Sequence, residues 1–390
     1  MKIAHYIDTF SHLSETFVFD LLCALRDDDL ARESQHIVIC HQRRNEQSRP
    51  FDGVHVVGFG SPKNVFGKLL QKIGVGKWIC PNEEAVAKLL LTERPDLIHA
   101  HFGQAGVRIS KLLTRYQLKI PLVVQCHGSD VLSQPHSDFW YRQAFIKLSK
   151  EKSNRIVGNT DFLCGVIQSL GIQGAHLRKV TYSVNTKFSS SCQVRGRKRD
   201  SMVRVISVGR LIPWKGHRYL IDAVKILNDR TPHCVSLTIV GSGSEAGFLK
   251  KQAESLGLLG VVNFLGSVSH EDLPAVLSRH DLFVQPSIVD PKTFQRESFG
   301  MTILEAISCG LPVIVTDSGG MPELVGGNSS CSKIVPHSSP KSLAEAMQRF
   351  IETPVAVSDL IAYRESRLQE FSRSNQLKNL ISIYDELLTS

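Results

Sequence analysis

Short apolar runs recur along the chain, most of them followed by a glycine or a polar cluster, and stretches with apolar residues three and four apart lie between them. Short runs of this kind suit strands buried on both faces, and the longer period suits amphipathic helices. Read in order, the pattern predicts strands over Lys2–Ile7, His36–Cys40, Val54–Val57, Leu97–His101, Leu122–Cys126, Asn154–Gly158 and Lys179–Tyr182. Helices are predicted over Phe17–Leu25, where Phe17, Val18, Leu21, Leu22 and Leu25 keep helical spacing, and over Asn82–Thr92, which Pro95 stops. Ser14 is placed to cap the first of these. Strands alternating with helices imply an α/β fold with a parallel, doubly wound sheet.

The rhythm breaks at Ser189–Arg199, a polar, basic stretch without periodicity, and then resumes. Strands are expected at Val203–Val208, Val235–Val240, Val261–Leu265, Leu282–Gln285, Val313–Thr316 and Lys333–Val335. Helices are expected at Leu220–Asn228, Ala246–Leu256, Glu271–Arg279 and Ser342–Ile351. The chain therefore reads as two successive α/β domains, 1–188 and 200–370, joined by a solvated linker. A last helix, within 371–390, is expected to pack back on the first domain. In such folds ligands sit at the carboxyl ends of strands, and with two domains the cleft between them is the expected site.

Composition adds few constraints. At 390 residues, two domains are the natural division. The values of 42% hydrophobic and 21% charged residues are those of a globular protein, and no apolar run is long enough to span a bilayer. The first apolar run is short and broken by Asp8, unlike a signal peptide. Nine cysteines are scattered without a C-x-x-C pair, which suits reduced, partly buried thiols and a cytoplasmic location. The net charge of +9 admits nucleic acid, an anionic membrane or an anionic small molecule as partner, or serves solubility alone. The basic run near residue 195 reads as linker rather than as a nucleic-acid patch. Ser61–Ile79 interleaves Lys63, Lys68, Lys72 and Lys77 with Phe66, Leu69, Leu70, Ile73 and Trp78, a pattern suited to peripheral contact with anionic lipid.

Candidate chemistry follows the strands. After Val208 comes Gly209-Arg210-Leu-Ile-Pro-Trp-Lys215-Gly216, with two cations in one loop. Arginine grips phosphate bidentately and lysine acts as a point charge, so the loop suits a departing diphosphate. After Val240, Gly241-Ser-Gly243 gives a tight turn near a nucleotide. The richest stretch is Glu297-Ser298-Phe299-Gly300-Met301-Thr302-Ile-Leu-Glu305, leading through Gly310-Leu-Pro312 to Gly319-Gly320-Met-Pro322-Glu323. A helix starting near Gly300 would offer unpaired N–H groups to an anion. Glu297 and Glu305 are too differently placed for a paired acid and base, and suit hydroxyl acceptors instead. In the first domain, His127-Gly128-Ser129-Asp130 follows a strand, and Asp130 could orient the imidazole. Ser14-Glu15-Thr16 could bind an acceptor or merely cap a helix. His99 and His101 share one strand face, but no third ligand has suitable local spacing, so packing at the sheet end is the expected role.

Taken together, these motifs resemble the GT-B glycosyltransferases of the large retaining family 4, over nearly the whole length. The carriers are G-R-L-x-x-x-K-G at Gly209–Gly216, the pair Glu297 and Glu305, G-x-P-x-I at Gly310–Ile314, and G-G-x-P-E at Gly319–Glu323. The first half adds L-S-E-T-F at Leu13–Phe17, H-A-H-F at His99–Phe102 and H-G-x-D at His127–Asp130. The L-S-E-T-F and H-A-H-F pieces are similar to bacterial enzymes of exopolysaccharide, colanic-acid-type and lipopolysaccharide assembly.

The resemblance implies two Rossmann-like domains facing across a cleft. It implies transfer of a sugar, with retention and without a metal or other cofactor, from a nucleotide-diphosphate-sugar to a glycan or lipid-linked glycan. Arg210 and Lys215 would stabilise the leaving diphosphate, Glu305 would hold the ribose, and Glu297 and His127 would stand at the donor sugar. Gly209, Gly241 and the backbone of Ser298–Thr302 would line the donor, while Ser14, Glu15, Thr16, His101 and Asp130 would face the acceptor. Two rivals are a GT-B nucleotide-sugar epimerase and an inactive scaffold that binds a partner glycosyltransferase. The joint presence of Arg210, Lys215, Glu297 and Glu305 speaks against the scaffold. Tyr182-Ser-Val-Asn185 lacks the glycine and aspartate usual at the family's domain turn.

Overall fold

The structure is a computed structural model that describes residues 1–12, 16–28, 34–59, 80–197, 202–231 and 235–389. Ser14, Glu15 and the basic segment 61–79 lie outside the described residues. The chain divides into two units, Met1–Tyr182 with Arg373–Ser390, and Ser183–Ser372.

In the first unit, seven strands form one parallel sheet: β1 (Lys2–Phe10), β2 (Gln35–Arg43), β3 (Val54–Val56), β4 (Leu97–His101), β5 (Leu122–Gln125), β6 (Asn154–Gly158) and β7 (Leu177–Lys179). Their order across the sheet is β3-β2-β1-β4-β5-β6-β7. The central strands are buried on both faces, which is why most of their residues are apolar. One face packs on helices that include Glu83–Glu93, Gly103–Arg115 and Phe139–Leu148. The other is covered by Thr16–Asp27 and the C-terminal helix Arg373–Thr389, whose Leu377, Leu380, Ile383, Tyr384 and Leu387 are buried among Ile3, Ile7, Leu97 and Val123. Glu386 fixes that helix by accepting from Arg155 Nη2 at 2.8 Å and Arg178 Nη2 at 2.6 Å.

The second unit repeats the plan with β8 (Val203–Val208), β9 (Val235–Val240), β10 (Val262–Gly266), β11 (Leu282–Gln285), β12 (Val313–Thr316) and β13 (Ser332–Val335), ordered β10-β9-β8-β11-β12-β13. All ladders in both sheets are parallel. This 3-2-1-4-5-6 order is that of the Rossmann fold, and its direction reverses once, between β1 and β4 and again between β8 and β11.

The passage between units falls earlier than the expected limits of 188 and 200. Lys187–Ser191 is a helix, not linker, and its Phe188 is buried in the second unit, edge-on to His270 with ring centroids 5.0 Å apart. Cys192 follows, with its Sγ 2.8 Å from Cys309 Sγ. A single buried aromatic in a run of serines is a weak signal of order, and composition alone hid it. The last strand of the first unit, Leu177–Lys179, also begins two residues earlier than the Lys179–Tyr182 run suggests.

Candidate functional site

The switch point of the second sheet gathers most of the residues that sequence singled out there. β8 ends at Val208, and the chain turns through Gly209 into the cationic loop. Gly209 N donates to Val240 O at 3.0 Å, and Leu211 N to Ser242 O at 2.9 Å, so this loop is laced to the end of β9. Gly241 permits that approach: its φ is +136°, and a Cβ there would stand 1.9 Å from Gly209 O. Pro213–Lys215 makes one 3₁₀ turn, and Gly216 then starts the helix His217–Arg230.

The turn sets three side chains together. Lys215 Nζ lies 4.7 Å from the Trp214 ring centroid, and the Arg210 guanidinium 5.9 Å from the same ring. Lys215 Nζ also pairs with Glu297 Oε2, and both side chains are 12% exposed. Arg210 is exposed and enters no ion pair among the described residues. The indole ring attracts both cations and so gathers them at one place. His217 is buried one turn on. Burial, and then the Lys215 charge, push its imidazole down to about 3, so His217 itself adds no positive charge to the site at neutral pH.

Glu297 is fixed through its backbone as well. Its carbonyl accepts from Gly320 N at 2.9 Å, and Gly319 stands so close that a Cβ would lie 1.8 Å from the same oxygen. The G-G-x-P-E run therefore serves as the seat for Glu297. Gly300 (φ +106°) begins the helix Met301–Ser308, whose first turn no side chain caps. Thr302 Oγ1 donates to Gln285 Oε1 at 3.3 Å, tying the helix to the end of β11. Phe299 is buried edge-on to Phe371. Glu305 is buried one turn inside and meets His270 Nε2 at 3.2 Å.

Sequence reasoning missed Trp214, His217, Gln285 and His270. His270 carried a usable signal, since it stands in the polar loop after β10, where the other ligand-facing groups were sought. Trp214 lay in plain view inside the cationic motif, but its contact with both charges needed the 3₁₀ turn.

The switch point of the first sheet is different in character. Between the ends of β1 and β4 opens a cavity of about 320 Å³ lined by Asp8, Thr9, His101, Phe102, Arg108 and Ser129, among others. Arg108 pairs with Asp8. Phe102 takes φ +75° and ψ 142°, a costly conformation for a bulky residue, and backbone strain of this kind collects at functional sites. Its ring lies 4.4 Å from that of His127.

Asp130 does not orient His127 in the way the H-G-x-D spacing suggested. Its buried carboxylate accepts from the backbone N–H of Gly103 at 2.8 Å, Gly128 at 2.8 Å and His127 at 3.1 Å. It staples the loops after β4 and β5, and burial raises its pKa against the pull of these donors. The His127 ring is oriented instead by Tyr182, whose hydroxyl meets Nδ1, and by Phe17, 4.7 Å away centroid to centroid. Burial, and then His99, hold its pKa well below the usual imidazole value. Thr16 opens the helix that carries Phe17.

Two Rossmann-ordered sheets in one chain, with cations and carboxylates gathered at the second switch point, define an enzyme of the GT-B class. The family model "Glycosyltransferase Family 4" matches residues 14–188, and "Glycosyl transferases group 1" matches residues 194–367. With nearly the whole chain covered by these two models, the protein belongs to the family 4 glycosyltransferases of GT-B fold, and it is a transferase. It is 24% identical over 300 residues to the amylovoran biosynthesis glycosyltransferase AmsK of Erwinia amylovora, covering 75% of this chain and 70% of that one. It is 26% identical over 293 residues to the alpha-D-kanosaminyltransferase of Streptomyces kanamyceticus, covering 71% and 72%. Among solved structures, Anabaena HepE in complex with UDP superposes with a TM-score of 0.75 at 19% identity, over 99% of this chain and 100% of that one.

Proposed function

We propose that the chain is a retaining glycosyltransferase that moves a sugar from a nucleotide-diphosphate-sugar to a glycan or lipid-linked glycan in the assembly of a cell-surface polysaccharide. The observation that carries the reading is the cationic loop at the second switch point, with Arg210 and Lys215 ranged on Trp214 and Lys215 paired to Glu297. The place is that of a nucleotide in a Rossmann sheet, and the charge is that required by a leaving diphosphate. Arg210 grips the diphosphate, and Lys215 exchanges Glu297 for a phosphate oxygen as charge develops there. Glu297, so released, accepts from hydroxyls of the donor sugar. Glu305 and His270 hold the ribose, and the uncapped start of Met301–Ser308 favours the anionic part of the donor.

The acceptor occupies the cavity of the first unit, where Asp8, Thr9 and Ser129 supply hydroxyl-binding groups and His127 borders it through Phe102. No metal takes part in the transfer in this reading, because the two cations carry the leaving-group charge. Amylovoran assembly by a relative supports the polysaccharide context. A peripheral membrane contact on the cytoplasmic side belongs to the same proposal. Among the described residues no helix is long and apolar enough to cross a membrane. The exposed Phe139 and Trp140, on a helix with Arg142 and Lys147, supply an amphipathic face of the required kind.

The test is a thermal-shift screen against UDP- and GDP-sugars, followed by turnover of the hit in wild type and Lys215→Ala. A donor at about 100 times its dissociation constant adds about 2.7 kcal/mol to stability. No shift with any nucleotide-sugar, or equal turnover in the two proteins, would sink the reading. Donor consumption without an acceptor product would favour the epimerase.

A further inference from the structure

Local spacing offers two histidines of a metal site and no third. The fold supplies the third. β1 runs beside β4 with His5 opposite His99, and His101 lies two residues on, so three imidazoles share one face of the sheet. All three are completely buried, and one ring nitrogen from each lies within 4.8 Å of the others. Some point is then within about 2.8 Å of all three, against a zinc–imidazole bond of about 2.0–2.1 Å. A shift of about 0.7 Å per side chain closes that gap, well within a rotamer adjustment.

The surrounding hydrogen bonds select which nitrogens face inward. His99 Nδ1 meets Tyr384 Oη at 2.7 Å, which leaves Nε2 for the cluster, beside the Gln125 amide. His5 Nε2 meets His36 Nδ1 at 3.0 Å, which leaves Nδ1, 3.2 Å from His101 Nε2. That separation is close to the ligand-to-ligand edge of a tetrahedral site. Outer partners of this kind are what fix metal-binding imidazoles. Gln125 stands opposite His101 in the register, fully buried, with its side chain against the His99 imidazole. The Gln125 amide thus joins the three imidazoles in one buried polar cluster.

We propose that His5, His99 and His101, with the Gln125 carbonyl as a fourth ligand, form a buried site for a late first-row transition metal, zinc or copper. Hard cations prefer oxygen-rich shells, whereas imidazoles select zinc and copper. The neutral imidazole is the form that ligates. His36 and Tyr384 form the outer shell. The ion would pin β1, β4 and β5 to the C-terminal helix through Tyr384, and it uses none of Arg210, Lys215, Glu297 or Glu305. Its role is structural, and it shares only His101 with the cavity given above to the acceptor.

The experiment uses untagged full-length protein stripped with a chelator. Cobalt(II) is titrated and followed by its visible ligand-field bands, then displaced with zinc; copper(I) is titrated anaerobically in a parallel arm. One equivalent per chain with tetrahedral cobalt bands, or one equivalent of copper(I), is expected. His5→Gln and His99→Gln should each weaken binding at least 100-fold. X-ray absorption at the metal edge needs no variant and should show imidazole nitrogens at about 2.0 Å. Failure of both metals to bind stoichiometrically overturns the site. So does a first shell of sulfur or oxygen alone, or uptake unchanged in both variants.

Discussion

The pairing of Lys215 with Glu297 makes a sharp prediction about both stability and catalysis. Lys215→Ala removes the cation and leaves a carboxylate whose side chain is only 12% exposed. Breaking a fully buried pair from one side costs about 3–5 kcal/mol, and an exposed pair is worth at most about 1. Partial exposure on both sides, with water able to enter the vacated volume, places Lys215→Ala at about 2 kcal/mol. For a unit of this size that is a fall of about 4–8 °C in melting temperature. Glu297→Ala should cost a similar amount by stranding the lysine. The double variant should cost less than the sum, by about 1–2 kcal/mol, since neither charge is then stranded. Calorimetry resolves this if the second unit melts as its own transition. Turnover should behave differently. Lys215→Ala should lower kcat by about 10²–10³, the usual loss when one preorganised donor to developing charge is removed. Glu297→Gln should instead tighten binding of the free nucleoside diphosphate, because the phosphate no longer competes with a carboxylate for Lys215. Additive stability effects, or weaker diphosphate binding by Glu297→Gln, would refute the exchange of partners.

Gly319→Ala should destabilise the second unit and abolish donor binding, because a Cβ would lie 1.8 Å from Glu297 O at a φ of +72°; unchanged donor affinity in a thermal-shift titration would count against the seat described for Glu297. Acid should destabilise the protein between about pH 6.5 and 4, because His217 and His36, held down to about 3 and about 4 by burial, stay neutral in the folded chain while their unfolded counterparts take up protons. Melting temperature followed from pH 7.5 to 4.5 checks the sign, which must be a loss on acidification. Glu386→Leu should loosen the C-terminal helix by stranding Arg155 and Arg178, at a cost of about 1 kcal/mol, with faster amide exchange along Arg373–Thr389 and unchanged exchange in the second unit.

How much of this was legible in the sequence depends on how local each feature is. Strands buried on both faces announce themselves, and their limits were read closely, as at Val203–Val208 and Asn154–Gly158. Helices such as Gly103–Arg115 and Phe139–Leu148 went unread, because their apolar residues follow directly on a strand or alternate with polar ones. The clustering of ligand-facing residues at strand ends was legible, since a strand's carboxyl end is marked by where its apolar run stops. Partnership was not. Lys215 and Glu297 are 82 residues apart, and only the adjacency of β8 and β11 brings them together. For the same reason Asp130 looked like the partner of His127, three residues away, when Tyr182, 55 residues away, holds the ring.

One topology, used twice, presents two kinds of surface at the same topological position. At the switch point between β8 and β11 the chain places two cations, an indole and a buried carboxylate, an arrangement that answers to charge. At the switch point between β1 and β4 it places an aspartate–arginine pair, a strained Phe102 and a shelf of imidazole and aromatic rings, which answers to hydroxyls and flat apolar faces. The backbone offers the same exposed loop ends in both cases, so the sheet order cannot determine which ligand goes where. The difference lies in the residues that follow β8 and β11 on one side and β1 and β4 on the other. Exchanging the charge between the two, with Arg210→Ser after β8 and Ser129→Arg on the wall of the first unit's cavity, should therefore abolish donor binding without creating it anew. A diphosphate needs the Trp214 shelf and the Gly319 seat as well as the charge, and the first unit has neither.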